Sequence, residues 1–203
     1  VGGINYGPGI VKIFQNDNGQ WEQIGSDING EGSSDQFGNA LALSDDGSIV
    51  VIGGTFNSND KGESSGHVKV FERIENQWVQ LGQSIIGEDA GDCSGHSVSV
   101  SSNGKIIAIG APFNEAKSTS QYNKSRGHVR IFNLQNGEWN QIGDDIDGLA
   151  DGDNLGWAVS LSSDGTVVAI SARAEDTTAE NSGSVSVFKY LSSQWIQVGN
   201  SIY

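Results

Sequence analysis

Gly66-His67-Val68-Lys69-Val70-Phe71, followed after a polar turn by Trp78-Val79-Gln80-Leu81-Gly82, decides how this chain folds, because the pattern occurs four times. The other copies are Gly9-Ile10-Val11-Lys12-Ile13-Phe14 with Trp21-Glu22-Gln23-Ile24-Gly25, Gly127-His128-Val129-Arg130-Ile131-Phe132 with Trp139-Asn140-Gln141-Ile142-Gly143, and Gly183-Ser184-Val185-Ser186-Val187-Phe188 with Trp195-Ile196-Gln197-Val198-Gly199. The interval from Phe to Trp is the same in every copy. Two alternating runs joined by a short polar turn read as a β-hairpin. The regular return of Trp21, Trp78, Trp139 and Trp195 is an internal repeat, and it fixes the architecture before any single motif is weighed.

Between these hairpins lies a second kind. Phe37-Gly38-Asn39-Ala40-Leu41-Ala42-Leu43-Ser44 turns through Asp46-Gly47 into Ser48-Ile49-Val50-Val51-Ile52-Gly53. It recurs from Ser94 to Gly110 around Asn103-Gly104, and from Leu155 to Ser171 around Asp164-Gly165. Asp-Gly and Asn-Gly are hairpin turns. Each unit therefore has four strands, A to D. Strand B is apolar on both faces, as a strand covered on both sides must be. Strand A alternates, with Leu41 and Leu43 on one face and Ala40 and Ala42 on the other. Small residues on one face allow close approach of a neighbouring sheet.

The spacings agree. The interval from Trp to the next strand-A Gly is constant: Trp21 to Gly38, Trp78 to Gly95, Trp139 to Gly156. So is the interval from that Gly to the end of strand B, at Gly53, Gly110 and Ser171. Only the B–C connection changes length, running from Gly53 to Gly66, from Gly110 to Gly127 and from Ser171 to Gly183. A fixed frame with one variable loop fits a radial repeat. The expected fold is all-β: a β-propeller-type repeat of four-stranded antiparallel blades, about 3.5 in this chain. The expected division of the single repeat domain 1–203 is a half blade at 1–27 and blades at 35–83, 92–144 and 153–200. Both ends carry strands C and D, so the chain is expected to be a segment of a larger propeller or to self-associate through open strand edges.

Phe37-Gly38 followed by Gly53-Gly54-Thr55, and Gly95 followed by Gly110-Ala111-Pro112, resemble FG-GAP repeats, the blades of integrin-α-type propellers. The resemblance spans essentially the whole chain. Ser94 and Leu155 replace the Phe, and Ser171-Ala172-Arg173 replaces Gly-Ala-Pro. The family's Asp-rich calcium loop has no counterpart in the tight A–B turns, so its calcium is not carried over. The resemblance implies a non-enzymatic extracellular or cell-surface module for adhesion or binding, with a protein or glycan ligand on the face of the D–A and B–C loops. The alternatives are a structural subunit of an extracellular filament or sheath assembling through its open edges, and a carbohydrate-binding propeller.

Composition narrows the partners. The formal charge of −14 argues against nucleic acid, which needs clustered Lys and Arg. No apolar run approaches the roughly 20 residues of a membrane span. The single Cys93 cannot close an internal disulfide, and it stands where the other units have Gln36 and Asn154.

The D–A connections, 26–36, 83–94 and 144–155, hold eleven acids and no Lys or Arg: Asp27, Glu31, Asp35, Glu88, Asp89, Asp92, Asp144, Asp145, Asp147, Asp151 and Asp153. Asp35, Asp92 and Asp153 are equivalent, each three residues before the strand-A Gly. They are candidate Ca²⁺ ligands through oxygen, and equally candidates to accept backbone N–H bonds and fix a turn. Beyond that possible calcium, no cofactor is expected. The recurring Trp residues suit inter-blade packing better than a sugar platform. Trp157, at the position of Asn39 and His96, is either a ligand contact or core filling. His67 and His128 start strand C, where Ile10 and Ser184 stand elsewhere, and a position that tolerates Ile and Ser does not read as catalytic. No Cys/His metal spacing, phosphate loop or Gly-x-Ser-x-Gly elbow occurs, so no enzyme is expected. Asn123-Lys124-Ser125 is a glycosylation sequon in the longest B–C loop.

Overall fold

The structure, a computed structural model, describes residues 7–115, 125–174 and 182–203. Among these residues the regular structure is entirely β, in antiparallel sheets. The described residues begin with β1 (Ile10–Val11), β2 (Phe14–Asp17), β3 (Gln20–Gln23) and β4 (Ile28–Asn29), in which β1 pairs with β4 and β2 with β3. The first blade follows as β5 (Phe37–Leu43), β6 (Ile49–Gly54), β7 (His67–Ile74) and β8 (Gln77–Gln80), with β9 (Ile85–Ile86) beyond it. The second is β10 (Ser97–Val100), β11 (Ile106–Ala111), β12 (His128–Gln135) and β13 (Glu138–Gln141), then β14 (Ile146–Asp147). The third is β15 (Leu155–Leu161), β16 (Val167–Ala172), β17 (Ser184–Leu191) and β18 (Gln194–Gln197). In each blade the four strands pair in chain order, which is the A-B-C-D frame of the sequence.

The D–A connections are not wholly loop. Each carries a short strand that pairs back onto strand C: β4 on β1, β9 on β7 and β14 on β12. Strand D covers only the second half of C; β8, for instance, pairs with residues Phe71 to Ile74. The first half of C would otherwise leave backbone groups unpaired, and these must find partners when buried. The connection therefore folds back onto it, His67 opposite Ile86 and Val68 opposite Ile85. The buried Ile28, Ile85 and Ile146 anchor these short strands.

Strand B serves two cores at once. Val50 and Ile52 pack with Val11, Ile28 and Phe37, while Ile49 and Val51 face the opposite way, onto Ile107, Ile109, Phe132 and Trp139 of the second blade. Ala108, Val129 and Ile131 then meet Val168 and Ile170 of the third. Each such Val or Ile contributes about 1.5–3 kcal/mol by leaving water. The motif glycines belong to the same contact. A Cβ on Gly53 would collide with the carbonyl oxygen of Gly95 in the next blade, and one on Gly110 with that of Gly156. Only glycine lets the sheets approach so closely. Ser171 takes this place in the third blade, where its hydroxyl receives the N–H of Ala158 at 3.0 Å.

The tryptophans join successive units. Trp78 Nε1 donates to the carbonyl of Ile24, Trp139 to Leu81 and Trp195 to Ile142, at 2.8–2.9 Å. Each indole thus bridges to the unit before it, with its N–H satisfied as burial requires. Trp21, in the leading hairpin, is 69% exposed, whereas Trp139 is 3% exposed. Leu41 and Leu43 of the first strand A are likewise exposed, while the equivalent Val98 and Val100 pack into the core between the first two blades.

Candidate functional site

His128 begins β12, opposite Ala111 of β11 and Asp147 of β14. Flanked on both sides, its ring is 2% exposed. Its Nε2 meets no hydrogen-bond partner among the described residues. Nδ1 looks toward two carboxylates from different connections, Glu88 Oε2 and Asp145 Oδ2, each at 3.8 Å. Burial, and next the Arg130 guanidinium, hold the imidazole below its ordinary value; Asp145, Glu88 and Asp92 oppose this.

Local structure aims both carboxylates. Glu88 lies on the connection into the second blade, where its backbone N–H and that of Asp89 donate to Asp92 Oδ2 at 3.1 and 2.9 Å. Arg130 Nη1 stands 3.4 Å from Glu88 Oε1, leaving Oε2 toward the imidazole. Arg130 also donates through Nη2 to the carbonyl of Ile86 at 2.8 Å and lies over the Phe132 ring. Asp145 lies on the connection out of the blade. Gln141 Nε2 donates to its Oδ1 at 2.7 Å and leaves Oδ2 facing His128. The recurring strand-D Gln thus orients an acid on the next connection: Gln23 does the same for Asp27. Glu88, His128 and Asp145 each offer a ligand-type atom, all within 4.8 Å of one another. They open into a cavity of about 500 Å³ also lined by Asp89, Asn114, Gln141, Asp144 and Asp147.

The aspartates singled out in the sequence stand elsewhere in this frame. Asp35 Oδ2 accepts the N–H of Gly32 at 2.8 Å and Asn57 Nδ2 at 2.9 Å, and Asp153 Oδ2 accepts the N–H of Ala150 at 2.7 Å. With Asp92 they are buried turn-fixing acceptors, and they do not converge on one another. Asn123 lies outside the described residues. Trp157 packs at a tilt against His96, ring centroids 4.6 Å apart, and edge-on against Phe113, with the Arg173 guanidinium 4.2 Å from its ring centre. Cys93 is buried, which together with Asp92 pushes its thiol up to about 11. Sequence alone sets His128 aside, because Ile10 and Ser184 share its position. The acids on either side of it, Glu88 and Asp145, have Glu31 and Asp27 at their places in the leading unit, so position alone does not single them out; what differs is that the second blade has acids on both its connections, where the first has Ser84 on the outgoing one.

Comparison with known proteins first defines a class. The chain resembles solved β-propeller-type structures. One is a Bacteroides uniformis protein named as a 6-phosphogluconolactonase, with TM-score 0.58 and 16% identity over 94% of this chain and 47% of that one. Another is the periplasmic gluconolactonase of Pseudomonas aeruginosa, with TM-score 0.50 and 13% identity over 93% and 47%. The chain thus spans about half the length of these structures. Residues 146–188, from β14 into β17, match the FG-GAP repeat family, so the resemblance read from the sequence holds there. No curated protein matches the chain by sequence.

These matches correct the functional expectation. The sequence leads to a non-enzymatic adhesion or binding module, with a filament subunit and a carbohydrate-binding propeller as alternatives. The propellers it resembles are named as enzymes, both lactonases, and the FG-GAP match reaches only one unit. The likeness at this identity establishes the fold, and function has to be argued from the site.

Proposed function

We propose that this chain carries the hydrolytic site of a propeller enzyme that opens the ring ester of a sugar lactone. The observation that carries the reading is the meeting of Glu88, His128 and Asp145 on one cavity. In this step water attacks the lactone carbonyl, the ring C–O bond breaks, and the proton lost by water returns to the ring oxygen, giving the open hydroxy acid. The step needs a positioned proton acceptor beside the water. Glu88 and Asp145 are half-exposed, so water reaches them, while the buried His128 forms the floor between them. Gln141 and Arg130 hold the two carboxylates in place, and this supporting shell makes the arrangement more than a patch of surface acids.

The names of the structural neighbours supply the first substrates to test, glucono-δ-lactone and its 6-phosphate. Acid release should exceed the spontaneous rate, and Asp145→Ser or Glu88→Gln should lower the excess by about 10²-fold. Activity no greater than the spontaneous rate, or activity unchanged by both substitutions, would remove this reading.

A further inference from the structure

We propose that Glu88, His128 and Asp145 form a divalent-cation site with one imidazole nitrogen and two carboxylate oxygens, suited to Zn²⁺ or a similar first-row metal rather than to Ca²⁺. The three residues come from three separate segments: the connection into the second blade, the first residue of β12 and the connection out. The imidazole is the independent pointer. It is 2% exposed, its Nε2 has no hydrogen-bond partner among the described residues, and its Nδ1 stands 3.8 Å from each of the two oxygens. At 3.8 Å these separations are too long for hydrogen bonds. They lie within the span that two ligands bonded at about 2.0–2.2 Å to one ion can hold. An imidazole nitrogen in the set favours a borderline metal over the oxygen-seeking Ca²⁺.

The two carboxylates have the outer partners that ligating carboxylates take. Gln141 engages Asp145 Oδ1 and Arg130 engages Glu88 Oε1, so one oxygen of each carboxylate is fixed and the other faces the imidazole. Arg130 is a like charge to any cation, but it turns Nη2 to the Ile86 carbonyl, and the cavity lining adds Asp89, Asp144 and Asp147. The first blade shows what the arrangement lacks when it is incomplete. His67 and Glu31 are in equivalent places, but Ser84 stands for Asp145, and Lys69 pairs with Glu31 directly.

The test is calorimetric titration of Zn²⁺ into the full chain after treatment with chelator and dialysis, with no substrate present. One equivalent should bind, and Asp145→Ser should weaken it at least about tenfold. Ser is the residue this frame carries at position 84, so that variant is expected to fold; His128→Ser provides a second measure, and Asp27→Ser should leave binding unchanged. No zinc binding, or binding undiminished in Asp145→Ser, overturns the site. The cation site does not require the hydrolytic reading. A chain that binds zinc but opens no lactone ring removes only that reading, and a chain that opens rings but binds no zinc removes only this one.

Discussion

The first and second blades are built on one frame and carry different chemistry on it. Each places a buried histidine at the start of strand C, His67 and His128, with a Glu on the incoming connection and a cation two residues along. In the first blade Lys69 reaches Glu31 and closes an ion pair. In the second, Arg130 spends one nitrogen on the Ile86 carbonyl and stands 3.4 Å from Glu88, while Asp145 is added from the other side. The same backbone therefore gives a direct lysine–glutamate ion pair in one place and an imidazole facing two carboxylates in the other. A repeat frame sets where side chains can meet, and two substitutions within it decide which side chains do.

The frame itself is tested by its largest contact. Trp139 seals the core between the two blades, so Trp139→Ala should cost about 3–5 kcal/mol. Trp21→Ala, at the same frame position but exposed, should cost less than about 0.5 kcal/mol. Urea unfolding of both variants checks this, and equal costs would contradict the packing described.

The difference between the blades should be transferable. Ser84→Asp together with Lys69→Arg gives the first blade the second blade's residues, and zinc stoichiometry should rise from about one to about two per chain. Ser84→Asp alone should not achieve this, because Lys69 still occupies Glu31. Calorimetry separates the two outcomes.

A smaller effect concerns His67. Burial, and next Lys69, lower its pKa from 6.5, against the pull of Asp35 and Glu31. Below about pH 6.5 the unfolded chain takes up a proton that the folded chain resists, so stability falls as the pH drops through that range. His67→Ser should flatten the dependence of the urea midpoint on pH across the range from neutral to mildly acidic.

The smallest effect lies in the A–B turns, where Asp46 of the first blade stands for Asn103 of the second. Ser44 and Ser48 hydrogen-bond Asp46 and hold its carboxyl at about 2. Because the folded value is depressed, this stabilisation is full above the ordinary carboxylate range and disappears as the pH falls through about 2. Asp46→Asn should lower the thermal midpoint slightly near neutrality and remove that part of the acid sensitivity; a carboxyl titration followed by NMR checks the value.

The frame was legible because local signals agreed: the Phe–Trp interval, the Asp-Gly and Asn-Gly turns, and the doubly apolar strand B. The short strands on the D–A connections were not, because segments so brief carry no period, and what forms them is the unpaired half of strand C. The glycines at 53 and 110 were visible as motif letters, but their reason, a carbonyl of the next sheet pressed against them, exists only once sheets stack. The candidate site was hidden for a different cause. Comparing repeats treats equivalent positions as interchangeable, which makes His128 look dispensable. Its partners are distant in the chain, Glu88 ahead of β10 and Asp145 beyond β13, in connections crowded with other acids. Only the fold picks Glu88 and Asp145 out of the eleven.

The most direct measurement is anomalous diffraction at the zinc edge from crystals of the chain grown with Zn²⁺. The expected result is one strong peak about 2.0–2.2 Å from Glu88 Oε2, His128 Nδ1 and Asp145 Oδ2, with none beside His67. A peak of equal strength in the first blade, or no peak at His128, would contradict the account.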